Sequence, residues 1–415
     1  DNILIGNQAG KNACCAHNVM IGSNAGREST GACANVMLGL SAGLQNTTGV
    51  RNVNLGAQSS QGNTTGSYNV SVGDCSGPQT TGATTVGNVF IGRFSGQNAT
   101  TAACNTIIGF NNGACLTTGV RNVFLGRSAG LGVTTGDCNF YVGNHAGPSL
   151  CGHKGSSNIA LGNNTMRISP ASSTASCNVL IGTNAGQYNN ANDNVFLGTC
   201  SGKNNDTGDC NIFLGFSAGV GNSTGVSNIT IGQNSGAQSS GASGNYNITL
   251  GHSNGCSLSS GSCNILIGRK TGRDVSTGLR NIAIGNRVNL PSATGNDQLA
   301  IGCCTGRWIQ GDSSFNVCLA GAGVTATAAG TLCACRVAAN KYLDDCKFNF
   351  IAGSCAGLGV TLSNLVCNNI LIGKCAGSSI DTQCNVIAIG ACAASCIDGI
   401  GQQTFVGQEA GRYLG

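Results

Sequence analysis

The chain has 415 residues, of which 67 are glycine and only 19 are aromatic (12 Phe, 1 Trp and 6 Tyr). Charged residues make up 8% of it, against about 25% in ordinary globular domains, and the net charge is only +5. This composition excludes a protein built from charged surface helices, and the 40% apolar content argues against intrinsic disorder. The chain has 4 Pro and no Gly-X-Y register, so it is not collagen, and no apolar run is long enough to predict a membrane span.

One motif recurs along the whole chain: Asn-φ-x-φ-Gly-x-x-Ala/Ser-Gly, where φ is apolar, often followed by Thr-Thr-Gly. Its first glycine stands at positions 6, 22, 39, 56, 73, 92, 109, 126, 143, 162, 182, 198, 215, 232, 251, 268, 285, 302, 353, 373, 390 and 407. Thirteen of the intervals are 17 residues, and the others, except one of 51, are 16, 19 or 20. The long interval predicts two degenerate turns around Leu319 and Arg336. We therefore expect about 24 turns in one array over residues 1–415, with degenerate turns at 303–352.

Only the motif itself predicts a strand. The φ positions, such as Val123 and Leu125, are two apart and share one side of a strand, whereas glycine at both ends of each short segment excludes a helix. Strands this short bury an apolar side only by stacking, which predicts an all-β protein, a β-solenoid or β-roll whose asparagines form a ladder. We expect the φ side chains and the Ala or Ser of each turn to fill the core. Because that core is thin, we favour three chains wound as a trimeric fibre, with a single-chain solenoid as the alternative.

The repeats resemble those of a known group of fibre proteins. Asn122 to Gly130 followed by Thr134-Thr135-Gly136, and likewise Asn178 to Gly186, are similar to the repeats of phage tail fibres and related bacterial surface fibres. They are more distantly similar to the head repeats of trimeric autotransporter adhesins, whose turn is shorter. The resemblance covers nearly the whole chain. It implies a homotrimeric fibre on a virion tail or a cell surface, which contacts host-surface glycans or a receptor.

The 25 cysteines follow the repeat. One column precedes the motif Asn and another lies two residues after the motif Gly; this placement predicts disulfides within a turn or between neighbouring turns, as suits an extracellular rod. The candidates are Cys200, Cys210, Cys355, Cys367, Cys375, Cys384 and Cys392. Buried free thiols are the alternative. Paired Cys-x-x-Cys spacing is missing, so we expect no metal and no cofactor.

No catalytic constellation is predicted. Gly126-x-Ser128-x-Gly130 has the pattern of a nucleophile elbow, but it recurs in phase with the repeat, and the chain has only two Glu, Glu28 and Glu409. Basic residues are too scattered for nucleic acid. In the degenerate stretch, Trp308 and Tyr342 are candidate glycan contacts; the alternative is a bulged turn that buries Trp308.

The sequence thus favours a non-enzymatic structural fibre shaft, of a phage tail fibre or other virion appendage, that supports host-surface attachment. The alternatives are a bacterial extracellular fibre or adhesin stalk and a single-chain glycan- or ice-binding β-solenoid, which would need a regular threonine array. The start at Asp1 instead of Met is typical of a processed chain or a piece of a longer one.

Overall fold

The computed structural model describes residues 1–167, 173–304, 306–313, 356, 369–378, 385–396 and 402–412, and the backbone of strands at 317–319, 332–334 and 350–352. Within these residues every regular element is a strand, and the protein is a parallel β-solenoid of about 20 turns with a period of about 17 residues. The predicted fold class is confirmed. The chain divides into two compact units, Asp1–Cys263 and Asn264–Gly415.

The first unit contains fifteen strands of three residues, one per turn. They are β1 Ile3–Ile5, β2 Val19–Ile21, β3 Val36–Leu38, β4 Val53–Leu55, β5 Val70–Val72, β6 Val89–Ile91, β7 Thr106–Ile108, β8 Val123–Leu125, β9 Phe140–Val142, β10 Ile159–Leu161, β11 Val179–Ile181, β12 Val195–Leu197, β13 Ile212–Leu214, β14 Ile229–Ile231 and β15 Ile248–Leu250. From β1 to β15 each strand pairs in parallel with its neighbours within the unit, as Val123 does with Phe140. Equivalent motif residues therefore stand in columns along the stack.

The second unit begins with the same arrangement and then departs from it. Its strands are β16 Ile265–Ile267, β17 Ile282–Asn286, β18 Leu299–Cys303, β19 Gly306–Gly311, β20 Val317–Leu319, β21 Leu332–Ala334, β22 Phe350–Ala352, β23 Ile370–Ile372, β24 Ile387–Ile389 and β25 Thr404–Val406. The strand β19 runs antiparallel to β18 and β20, so the chain reverses there, which the repeat did not predict. Strands β22 to β25 form a separate parallel sheet.

Left-handed residues make the corners of each turn. In the turn of β8, φ is 132° at Gly126 and 55° at Ser128, and in the next turn Cys138 has a φ of 58°. A left-handed φ costs a residue with a Cβ about 1–2 kcal/mol. Hydrogen bonds between turns offset this cost, because the Ser128 N–H donates to the Phe110 carbonyl at 2.9 Å. At Gly126 a side chain would collide with the Gly143 carbonyl, so only glycine allows the turns to stack.

From β2 to β15 the core is formed by the middle residue of each strand together with the Ala or Ser of the turns, such as Ala129. The Ala and Ser positions lie in the core as expected, whereas the φ positions do not, which corrects that part of the expectation. Phe124 is buried completely, whereas Val123 and Leu125 on either side are only half-buried. The same pattern recurs from β2 to β15, and at two places in this column aromatic rings stack on each other. The ring of Phe124 lies 5.3 Å from that of Tyr141, and Phe196 lies 4.8 Å from Phe213, both nearly parallel.

The motif asparagines form the predicted ladder. The Asn122 side-chain oxygen accepts from the Asn139 backbone N–H at 2.9 Å and from its side-chain amide at 3.1 Å. The Asn122 amide in turn donates to Asn105 at 3.0 Å and to the Gly136 carbonyl at 2.9 Å. These buried amides satisfy the backbone where the chain turns into the strand.

Candidate functional surfaces

The outward side of the strands in the first unit is an uncharged apolar surface, which we call the aliphatic face. It consists of the first and third residue of β1 to β15, and all of these are Val, Ile or Leu except Thr106 and Phe140. Most are half-buried, and several, such as Ile108, Ile181 and Leu197, are more than a third exposed. With turns about 4.8 Å apart and strands about 10 Å long, fifteen turns give a flat strip of roughly 670 Å². Monomeric proteins rarely expose an apolar patch larger than about 300–600 Å².

Two columns of corner residues border the aliphatic face. The entry corner is the residue before the motif Asn, and in the first unit it carries the thiols of Cys104, Cys138, Cys177, Cys210 and Cys263, all exposed. The exit corner is the second residue after the motif Gly, and it carries Cys75 and Cys200, both partly exposed. Entry thiols from Cys104 to Cys210 recur on every second turn, so about 9.6 Å separates neighbours in the column. That spacing is too long for a disulfide within the column.

Two disulfides form within the described residues, at positions that the sequence did not indicate. Cys15 and Cys33 lie on successive turns with their Cα atoms 5.2 Å apart. Cys115 and Cys151 are 36 residues apart in sequence but 5.6 Å apart in space. Cys115 aligns with Gly132 on the next turn. The turn after that is longer and folds Cys151 back over Gly132, which has no side chain to separate the two cysteines.

The predicted disulfide candidates have different outcomes. Cys200 and Cys210 are both thiols, which corrects the within-turn pairing, and the reason is that they lie at opposite edges of the aliphatic face. Cys392 is also a thiol, which corrects the predicted disulfide with Cys375 at the equivalent position one turn earlier. Cys355, Cys367 and Cys384 lie outside the described residues.

Trp308 lies on β19 with 66% of its surface exposed, which excludes the alternative that it is buried in a bulged turn. Its neighbour Arg307 donates a hydrogen bond to the side chain of Gln310 at 2.7 Å. Tyr342 lies outside the described residues, so a joint glycan contact by the two aromatic residues stays a prediction.

Other polar groups belong to the interior of the stack. Several asparagines stand in Asn-x-Ser/Thr glycosylation sequons. Asn46, Asn63 and Asn222 of these are buried and donate to corner carbonyls, which excludes a glycan there, whereas Asn98 is exposed. His153 is fully buried, and neither ring nitrogen has a hydrogen-bond partner. Burial lowers the pKa of His153 to about 4, because the charged imidazolium loses its hydration.

In the part of the chain that the structure describes, no three His, Cys, Asp or Glu residues gather as metal ligands would. Ser128 is buried, so it is not a presented nucleophile. The same residues include no helix with the length and apolar character of a membrane span. Comparisons with family models, with curated proteins and with solved structures find no match.

Proposed function

We propose that this protein is a structural shaft of a fibre in which copies of the chain pack side by side, three about one axis, to support attachment to a host surface. The aliphatic face carries this proposal. A strip of this size, with no charged residue among its thirty outward positions, two on each of fifteen strands, is typical of a surface covered in the assembled state. Stacking supplies stiffness, because hydrogen bonds join successive turns of the first unit.

A virion tail fibre is the first candidate and a bacterial surface fibre the second, on the resemblance of the repeats alone. The partners implied are copies of the chain itself and, at the host, surface glycans or a receptor. We assign the chain no catalytic role.

The native mass tests the proposal. We expect light scattering to give three times the single-chain mass. Ile181→Glu with Leu197→Glu, which places two carboxylates on adjacent turns of the face, should give the single-chain mass with unchanged circular dichroism. Glutamate at Thr207 and Thr224, exposed on the opposite wall, is the matched control and should leave the assembly intact. A wild-type chain that is monomeric at all concentrations would contradict the proposal.

One observation favours the single-chain binding solenoid as a second candidate. Six consecutive turns present an exposed threonine at the same position of the wall opposite the face: Thr48, Thr65, Thr84, Thr101, Thr118 and Thr135. Their spacing of about 4.8 Å makes a regular hydroxyl column. A monomeric chain that inhibits ice recrystallisation, and loses this effect when Thr101 and Thr118 become lysine, would support this candidate.

A further inference from the structure

Cys200 and Cys210 stand at opposite edges of the aliphatic face and on consecutive turns. Cys200 lies at the exit corner after β12, with a φ of 58°, and Cys210 lies at the entry corner before β13, with a φ of 59°. Both are thiols, Cys210 exposed and Cys200 partly exposed. Both edges of the face therefore carry a reactive group at nearly the same level of the stack.

The two thiols of one chain cannot reach each other. The residue that aligns with Cys200 on the turn of β13 is Ser217, since the Ser217 N–H donates to the Thr199 carbonyl just as the Cys200 N–H donates to Thr183. Between Cys210 and that exit corner the chain crosses the whole face, and five extended residues alone span about 16 Å. A disulfide needs Cα atoms within about 7 Å. A disulfide between Cys200 and Cys210 must therefore join two chains.

We propose that Cys200 of one copy and Cys210 of the next copy form a disulfide that locks the assembled shaft. The inference rests on the proposed function, because it needs copies packed side by side around an axis. In a closed ring the exit edge of each copy meets the entry edge of its neighbour. Three copies therefore make three equivalent disulfides, and every Cys200 and every Cys210 is used. Two thiols lose two protons and two electrons as one S–S bond forms, and oxidised glutathione accepts them to give two glutathione thiols.

Cys75, the other exit thiol of the first unit, lacks this match. It follows β5, and the entry corners of that turn and the next are Tyr68 and Gly87. For Cys200 the entry corners at the same levels are Asp193 and Cys210. One level of the unit therefore has thiols at both edges, and we expect a specific bond there instead of scattered cross-links.

The test uses the full chain, purified in reductant and then moved into a buffer of oxidised and reduced glutathione. On a denaturing gel without reductant we expect a species of three chains, which Cys200→Ser and Cys210→Ser each abolish. Serine is the matched replacement, since Ser217 and Ser227 occupy the same corners on other turns. Cys75→Ser and Cys138→Ser are the controls and should keep the covalent species.

Isotope labelling identifies which chains are joined. Chains labelled with ¹⁴N and ¹⁵N, mixed while dissociated and then oxidised, should yield Cys200–Cys210 peptide pairs with one light and one heavy partner. Pairs that are never mixed, or serine variants that cross-link like the wild type, would overturn the disulfide. A three-chain native mass in reductant with no covalent species in oxidant would also overturn the disulfide but would still support the proposed shaft. A single-chain mass in both buffers would contradict the proposed shaft as well.

Discussion

Replacing two adjacent residues of β8 by alanine distinguishes the inside of the solenoid from its outside. Phe124 points into the lumen and Leu125 points outward onto the aliphatic face. In dissociated chains we expect Phe124→Ala to lower the free energy of unfolding by about 3–5 kcal/mol, because a buried ring leaves a cavity. The lost contact with Tyr141, at 5.3 Å between ring centres, adds about 0.5–1.5 kcal/mol.

Leu125→Ala should behave differently. Its side chain is already half-exposed, so the loss in dissociated chains should stay below about 1.5 kcal/mol, with a further loss that appears only in the assembly. Urea unfolding followed by circular dichroism at several protein concentrations separates the two effects, since only an interface makes stability depend on concentration.

Hydrogen exchange of the β8 and β9 amides supplies a local measure, which matters because a repeat array can unfold in parts. A larger loss for Leu125→Ala than for Phe124→Ala at the lowest protein concentration would refute the assignment of inside and outside.

Three further changes test the interior. The free energy of unfolding should fall by up to about 3 kcal/mol as the pH drops from 6.5 to 4, because His153 binds a proton in the unfolded chain and stays neutral when buried. In urea titrations His153→Val should flatten this dependence on pH. Asn122→Ala removes four buried hydrogen bonds and should cost about 2–4 kcal/mol in the same assay, while Asn98→Ala, at an exposed site, should cost less than about 0.5 kcal/mol. Gly126→Ala should lower the melting temperature far more than Gly82→Ala, since a Cβ strikes a neighbouring carbonyl only at Gly126 and both share the strain of positive φ.

The period and the pairing of the strands could be predicted from the sequence, but the direction of their side chains could not. Alternation in Asn122-Val123-Phe124-Leu125 shows which residues share a side and leaves open which side faces the lumen. The φ positions are uniformly apolar, which suggested that they form the core, and the middle position varies, which suggested that it lies on the surface. A signal for the correct choice was present, because the middle residues change in blocks along the stack, from Met20 and Met37 to polar Asn54 and Ser71, then to aromatic residues.

The disulfides were harder to predict for a reason of the same kind. A spacing of one repeat places two cysteines in one column, and the bond between Cys15 and Cys33 follows this rule closely. The bond between Cys115 and Cys151 depends on a longer turn that folds back over Gly132, and only the three-dimensional course of that turn shows it.

The contrast between a varied lumen and a uniform face bears on how copies would align. Inside, each middle side chain fits the middle residues of the turns above and below it, so a slip of one turn, which would set Asn54 against Phe90 and Met20 against Asn54, is disfavoured. On the aliphatic face a slip of about 4.8 Å leaves aliphatic side chains on aliphatic side chains, so packing alone defines the relative height of two copies weakly. A bond between Cys200 and Cys210 at a single level removes that freedom. An apolar face can therefore supply the affinity between copies, while one pair of thiols sets their register.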